Sequence, residues 1–326
     1  MSDTLHKVLI VGGNSAIGSA LGHYLEARGV EVLTTTRRDN PGPNQIRLDL
    51  SEDPAKWPEL PQVDRAVIAA AVTALDDCHT DPVSSRAINV DGAGEVAQRL
   101  VANDAFVLHF STNQVFDGTL AHRTEEDAPC PVSEYGRQKS DSESQVLAKG
   151  DGTAILRLSK VLTNGLPVIN RWRKAWSQGD VAKAFNDMTL APLPVNLVCE
   201  LAIRILDAQA PGIFHASGAS DLTYFELAQR TAERLGVTPD RVIPTSVRNA
   251  PVLPEAAPIN TTLAMTRATT EFGISPPTTW AAVDAILANI GSTADGRGSE
   301  PAYQESTDED SNDFPDLAAP RRAAVA

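Results

Sequence analysis

Three cysteines, Cys78, Cys130 and Cys199, are all that the 326-residue chain carries. They are far apart and form neither a C-x-x-C pair nor a metal spacing, which argues against a disulfide framework and fits buried free thiols in a reducing cytosol. The six histidines, His6, His23, His79, His109, His122 and His215, form no cluster with ligand spacing, so no metal is expected. Long apolar runs are also lacking. Stretches such as Ala66–Val72 are too short to span a bilayer. Positive charge is scarce: 28 Lys and Arg face 42 Asp and Glu, for a formal net charge of -14. That balance argues against nonspecific nucleic-acid binding and against docking on an anionic membrane. No signal-peptide pattern precedes the first apolar run, and a cytoplasmic location is expected.

What the chain does hold is enough apolar material for a core. The hydrophobic fraction is 42%, and the length suits one large or two medium domains. Lys7–Val11 is a continuous apolar run, followed by a glycine-rich turn over 12–18 and a helical stretch, Ser19–Arg28, that Gly29 stops. Val30–Thr36 reads as a second strand rich in β-branched residues. Ile46–Leu50 is a short third and Asp64–Ala71 a fourth, mostly apolar as a strand buried on both faces should be. A helix over about Ser84–Asn103, a strand over Phe106–Ser111, a helix over Ser133–Lys149 and a strand over Thr153–Leu158 continue the rhythm. This alternation predicts an α/β protein with a doubly wound parallel sheet and a ligand crevice at the carboxyl ends of its strands.

After Ser159 the pattern changes. Helices are expected at Asn170–Gly179, Val195–Gln209, Leu222–Leu235 and Thr279–Ile290, and a strand at Gly212–Ala216. This half reads as a smaller substrate lobe over the crevice, with one or two segments returning to the main sheet. From Gly291 the chain is acidic and nearly free of large apolar residues, the composition of a disordered tail. The expected division is therefore 1–160, 161–290 and 291–326.

Three stretches carry chemistry. The first is Gly12-Gly13-Asn14-Ser15-Ala16-Ile17-Gly18, set between the first strand and its helix. Gly12 permits a tight turn, Gly18 lets the helix pack close, and N–H groups at the helix start can take a pyrophosphate. The Ser15 hydroxyl can add a phosphate contact. The second strand then ends in Thr36-Arg37-Arg38, where an acid would hold the ribose hydroxyls of NAD. Arginine suits the 2′-phosphate of NADP instead, the alternative being a pair of solvated surface arginines. Asp39 stands close enough to blur that distinction. Asp49 and Leu50 could meet the adenine edge, and Ala69, Ala70 and Ala71 are small where bulk would block a cofactor. The second stretch is Ser111-Thr112-Asn113-Gln114, hydroxyls and amides at the end of the fifth strand. A hydroxyl there can hold a substrate oxygen or merely cap a loop. The third is Tyr135-Gly136-Arg137-Gln138-Lys139. Ser133 can cap this helix and Gly150 close it. Four residues apart, Tyr135 and Lys139 share a helix face. An ammonium beside a phenol favours the phenolate and makes the phenol a better acid towards a carbonyl oxygen.

Together these residues resemble the extended short-chain dehydrogenase/reductases, and within them the dTDP-4-dehydrorhamnose reductase-like group. Ala69–Cys78 resembles that group's N-A-A-A-Y-T-x-V-D-x-x-E, with Thr73 in the substrate-side stretch, and Asn89-Val90-Asp91-Gly92 its N-V-x-G. Ser111–Gly118 resembles S-T-D-Y-V-F-D-G, Thr124–Pro131 its T-E-x-D-x-P-x-P, Tyr135–Lys139 its Y-G-x-x-K and Leu156–Ser159 its L-R-T-S. The resemblance runs from Lys7 to about Ile290. It implies a Rossmann domain that binds NADP(H), with NAD(H) as the alternative, and reduction of a keto group on a nucleotide-linked sugar. It implies that Tyr135 donates the proton, that Lys139 binds the nicotinamide ribose and lowers the phenol's pKa, and that Thr112 helps hold the substrate oxygen. A homodimer pairing the helices around Ser84–Asn103 and Ser133–Lys149 is a further expectation.

The departures lie on the substrate side. Asn113 and Gln114 replace the group's Asp-Tyr. Lys160 stands where it has an aromatic, usually Trp, and Leu162 where it has a Tyr. An ammonium in place of a flat ring changes what can be stacked or neutralised. Two alternatives therefore stay open. One is an epimerase or dehydratase that recycles its hydride. The other is a non-catalytic NADP-binding regulator, as in the similar β subunit of methionine adenosyltransferase.

Overall fold

The computed structural model describes residues 5–162, 167–249 and 257–291. The expected acidic tail therefore lies almost wholly outside the described residues. The first strand, β1 (Lys7–Val11), is followed by α1 (Ala16–Glu26), β2 (Glu31–Thr36), β3 (Gln45–Arg47) and β4 (Arg65–Ile68). Next come α2 (Leu75–Thr80), α3 (Pro82–Arg86), a π-helical turn (Ala87–Gly92) and α4 (Ala93–Ala102). Then follow β5 (Phe106–Thr112), α5 (Glu134–Leu147), β6 (Thr153–Leu158), β7 (Lys160–Leu162), α6 (Pro167–Ser177), β8 (Ala182–Phe185), β9 (Thr189–Leu190) and β10 (Pro192–Pro194). The remaining elements are α7 (Val195–Ala208), β11 (Gly212–Ala216), β12 (Leu222–Thr223), α8 (Tyr224–Arg234), β13 (Val242–Thr245), α9 (Thr266–Phe272) and α10 (Thr279–Gly291).

Seven strands form one parallel sheet in the order β11-β6-β5-β4-β1-β2-β3. The direction of winding reverses between β1 and β4, the switch point at which such sheets open a ligand crevice. Alternate residues of each strand serve opposite faces. Val8 and Ile10 join the core beneath α1 and α7, whereas Leu9 and Val11 join the core beneath α4. A separate core, built from Leu162, Trp172, Phe185, Leu227 and Val283 among others, belongs to α6, α8, α10 and the short strands between them. The chain returns from there to the main sheet through α7 and β11, with Phe214 in register with Leu156.

Two details depart from expectation. The helix expected over Ser84–Asn103 begins earlier, at Pro82, and carries a π-helical turn across Asn89 before α4 resumes. Among the described residues, short elements absent from the sequence reading include α2, α9, β7 to β10, β12 and β13. Each strand of that set has two to four residues, too few to show a period of two.

Candidate active site

The glycine turn is shaped by what surrounds it. Gly12 has φ +87°, and a Cβ there would stand 2.6 Å from the Ala70 backbone nitrogen. A Cβ at Gly13, which the sequence reading passed over, would stand 2.4 Å from Thr34 Cβ. At Gly18 it would stand 2.5 Å from the Gly12 carbonyl oxygen. All three positions therefore require glycine, and the turn lies directly against Ala70 at the end of β4. Ser15 caps α1: its hydroxyl accepts from the Gly18 N–H at 3.0 Å. No acidic residue sits in the first turn of α1, so Ala16 and Ile17 lie in a helix start that favours an anion. β2 holds the turn from beside. Thr35 Oγ1 accepts from the Gly12 N–H at 3.0 Å, and Thr36 Oγ1 accepts from Asn14 Nδ2 at 2.9 Å.

Arg37 and Arg38 follow directly and are both exposed. Asp39 is drawn away by Arg47, whose Nε donates to it at 3.1 Å while its other nitrogens grip Glu52. The carboxylate that blurred the reading of the arginines is thus paired with Arg47 on the exposed surface. Asp49 accepts from the Ser51 N–H and hydroxyl; burial works to raise its carboxyl, but those two bonds and the charges of Arg37 and Arg47 together hold it below the usual range. Leu50 is buried against Gly92 in the π-helical turn.

Asn89 shows what that turn accomplishes. Its side chain is buried. Oδ1 accepts from the Val72 N–H at 2.7 Å, and Nδ2 donates to the Val72 carbonyl at 2.9 Å and to Gln138 Oε1 at 2.9 Å. One amide therefore fixes the loop that carries Ala69, Ala70, Ala71 and Thr73, and ties it to α5. Gln138 Nε2 in turn donates to Ser85 Oγ at 2.9 Å and to Glu134 Oε1 at 3.1 Å. The motif around Asn89 was visible in the sequence, but its tie to Gln138 was not.

β5 brings Ser111 and Thr112 to the same end of the sheet. Thr112 Oγ1 accepts from the Gln114 N–H at 3.2 Å, so its oxygen caps a short 3₁₀ turn over Asn113–Val115. Ser111 Oγ is buried and has no hydrogen-bond partner among the described residues. Gln114 packs onto the start of α5: a Cβ at Gly136 would stand 2.2 Å from the Gln114 carbonyl oxygen, and Ser133 donates to Gln114 Oε1 at 3.3 Å. Thr112 pairs with Leu158 in register, so Lys160, two residues on, begins β7 at that same end.

Ser133 caps α5, accepting from the Gly136 N–H, and Gly150 follows the helix with φ +87°. The buried face of α5 is largely polar. It includes Tyr135, Gln138, Lys139, Ser142 and Glu143. Tyr135 and Lys139 both lie on this face, 8% and 2% exposed. Lys139 Nζ donates to the Phe110 carbonyl at 2.7 Å and lies 2.9 Å from His109 Nε2. Burial lowers its pKa to about 8, with Glu143 opposing the shift. Glu143 is itself locked to Arg157 by a buried ion pair at 2.7 Å. The helix thus presents a phenol and a dry ammonium, one turn apart, beside the strand that ends in Thr112. Such an arrangement can protonate an oxygen placed at that end of the sheet.

The family model described as the RmlD substrate binding domain matches residues 6–292. The chain belongs to this family, a branch of the extended short-chain dehydrogenase/reductases. It is 28% identical over 280 residues to a probable low-salt glycan biosynthesis reductase of Haloferax volcanii, covering 82% of this chain and 93% of that one. It is also 28% identical to dTDP-4-dehydrorhamnose reductase of Mycolicibacterium smegmatis, with 89% and 88% covered. To methionine adenosyltransferase 2 subunit beta of Rattus norvegicus it is again 28% identical, with 79% and 80% covered. Two solved structures share the fold. The dTDP-4-dehydrorhamnose reductase of Bacillus anthracis, in complex with NADP, superposes with a TM-score of 0.75 at 18% identity, covering 87% of this chain and 99% of that one. The dTDP-glucose 4,6-dehydratase of Streptomyces venezuelae, with NAD bound, gives 0.74 at 19%, covering 88% and 97%. Among the described residues, no helix is long and apolar enough to cross a membrane.

Proposed function

We propose that the protein is an NADP(H)-dependent reductase acting on a keto group of a nucleotide-linked sugar. The observation that carries this reading is the Tyr135–Lys139 pair. It is buried on one face of α5, and its ammonium is anchored to β5 just before the strand ends in Thr112. The cofactor's place is supported by the turn at Gly12, Gly13 and Gly18, which has no room for side chains, and by the anion-favouring start of α1. Arg37 and Arg38, with Asp39 diverted to Arg47, favour a 2′-phosphate, and the NADP complex of the Bacillus anthracis relative agrees. NAD(H) is the alternative cofactor. When bound, the dinucleotide supplies hydride to the carbonyl carbon.

This chain's residues do the rest. Tyr135 gives its proton to the carbonyl oxygen, help worth roughly a hundredfold to ten-thousandfold in rate. Lys139 orients the nicotinamide ribose and steadies the phenolate left behind. Thr112, or the unpartnered Ser111 hydroxyl, holds the substrate oxygen. Thr73, Asn113, Gln114 and Lys160 line the sugar side, where Lys160 offers a cation to a carboxylate or phosphate. The same reading includes a homodimer through α4 and α5.

A second reading is a non-catalytic NADP-binding regulator. It is favoured by the altered residues at 113, 114 and 160 and by the likeness to methionine adenosyltransferase 2 subunit beta. The deciding experiment follows NADPH oxidation against a panel of nucleotide-linked 4-keto sugars, with Tyr135→Phe alongside. Turnover that collapses in the variant establishes the reductase. NADPH binding without turnover on any sugar of the panel moves the weight to the regulator or to a hydride-recycling enzyme.

A further inference from the structure

His109 lies in the middle of β5, fully buried between apolar neighbours, and no motif predicts it. Its Nε2 is 2.9 Å from Lys139 Nζ and 3.1 Å from Ser142 Oγ, while its Nδ1 has no hydrogen-bond partner among the described residues. We propose that His109 is a positioning residue for Lys139: a neutral imidazole whose Nε2 accepts from the ammonium and fixes where its remaining N–H points. The inference rests on the reading that Lys139 works with Tyr135.

The geometry supports it in three steps. An ammonium has three N–H groups and no acceptor. One goes to the Phe110 carbonyl and one to His109, both on β5, which leaves one for the active-site side. For Nε2 to accept, the imidazole must be neutral and carry its proton on Nδ1. Burial first, and the nearby Lys139 second, push its pKa well below the ordinary value, so it stays neutral. The chain then tolerates an unpaired N–H at Nδ1, an expense that is rational if Nε2 has to be an acceptor. Ser142 competes for the same lone pair. The other groups that face Lys139 are Tyr135 and Glu143 on α5, and Arg157 on β6 acting through Glu143.

The test reads the charge of Lys139 directly, by NMR of isotope-labelled lysine in the free, full-length protein. The chain has only seven lysines, and Lys139→Met assigns the resonance. The parent is expected to titrate near 8. His109→Leu removes the acceptor and lowers that midpoint by about one unit, a tenfold change in the proton equilibrium. His109→Gln returns an acceptor to the Nε2 position and restores it. Ser142→Ala removes the competing donor with little change in volume, and raises it. If the Leu variant fails to fold, His109→Asn, whose acceptor is too short to reach, takes its place. An unchanged midpoint in the Leu or Asn variant, or equal shifts in Gln and Leu, overturns the proposal and leaves His109 a space-filler. Because no substrate is present, the outcome is independent of turnover. A parent protein inactive on every sugar of the panel would move the weight away from the reductase reading while leaving this result standing.

Discussion

Replacing Asn89 by Ala should loosen the loop beside the glycine turn. The substitution leaves the Val72 N–H and Gln138 Oε1 without a partner, and the Val72 carbonyl with only the weak Cys78 thiol donor at 3.5 Å. An unpaired buried polar group costs about 1–3 kcal/mol. The Val72 groups are only partly buried and belong at the low end, whereas Gln138 is fully enclosed. The expected loss is about 4 kcal/mol in all. That is a large part of the roughly 5–15 kcal/mol that separates a folded domain from its unfolded chain. In a protein of this size it corresponds to a fall in Tm of roughly 8 °C. Urea unfolding gives the total, and amide exchange at Val72 gives its location. Asn89→Asp sharpens the test. It keeps the acceptor for the Val72 N–H but turns a second oxygen towards two other acceptors, so the new carboxyl must hold a proton to fit. Its folded pKa is then raised, and its stability relative to the parent is present at low pH and lost as pH rises. An Asn89→Ala variant within 1 kcal/mol of the parent, with unchanged exchange at Val72, would refute the reasoning.

Other outcomes follow from the same geometry. Arg37→Ser with Arg38→Ser should weaken NADPH binding about tenfold while leaving NADH nearly unchanged, read by fluorescence titration of both cofactors. Lys139 titrates near 8 when folded against an ordinary 10.5, so between those values the unfolded chain binds more protons and stability rises with pH. Urea midpoints across that window should climb in the parent more than in Lys139→Met. Removing one partner of the buried Glu143–Arg157 pair, as in Glu143→Leu, should cost about 3–5 kcal/mol, and adding Arg157→Leu should recover part of the loss because no uncompensated charge remains.

The central sheet was legible because its inner strands β4, β5 and β6 are buried on both faces and so read as largely apolar runs. Thr153–Leu158 matches β6 residue for residue. The Tyr135 helix was legible from its ends, since Ser133 caps it and Gly150 turns the chain away. The smaller lobe was not. Its paired strands are too short for periodicity, and β8 finds β13 nearly sixty residues later. Within the site, the glycine turn and the Tyr135–Lys139 pair are local patterns that sequence displays. The ties among Asn89, Gln138 and Ser85, and between His109 and Lys139, join residues from separate elements. A single sequence gives such pairs no signal, and a histidine inside Phe106-Val-Leu-His-Phe reads as an interruption in an apolar strand.

The late return of β11 bears on how the protein is made. Until residue 216 has been synthesised, β6 is an outer strand whose six residues, all buried in the finished fold, have no neighbour on one side. An open, apolar edge of this kind invites pairing with other chains. A fragment ending near residue 160 carries the glycine turn and the Tyr135–Lys139 pair but ends in that unprotected edge. Cutting the gene just after β6 should therefore yield aggregate, and a soluble fragment would have to extend through Ala216.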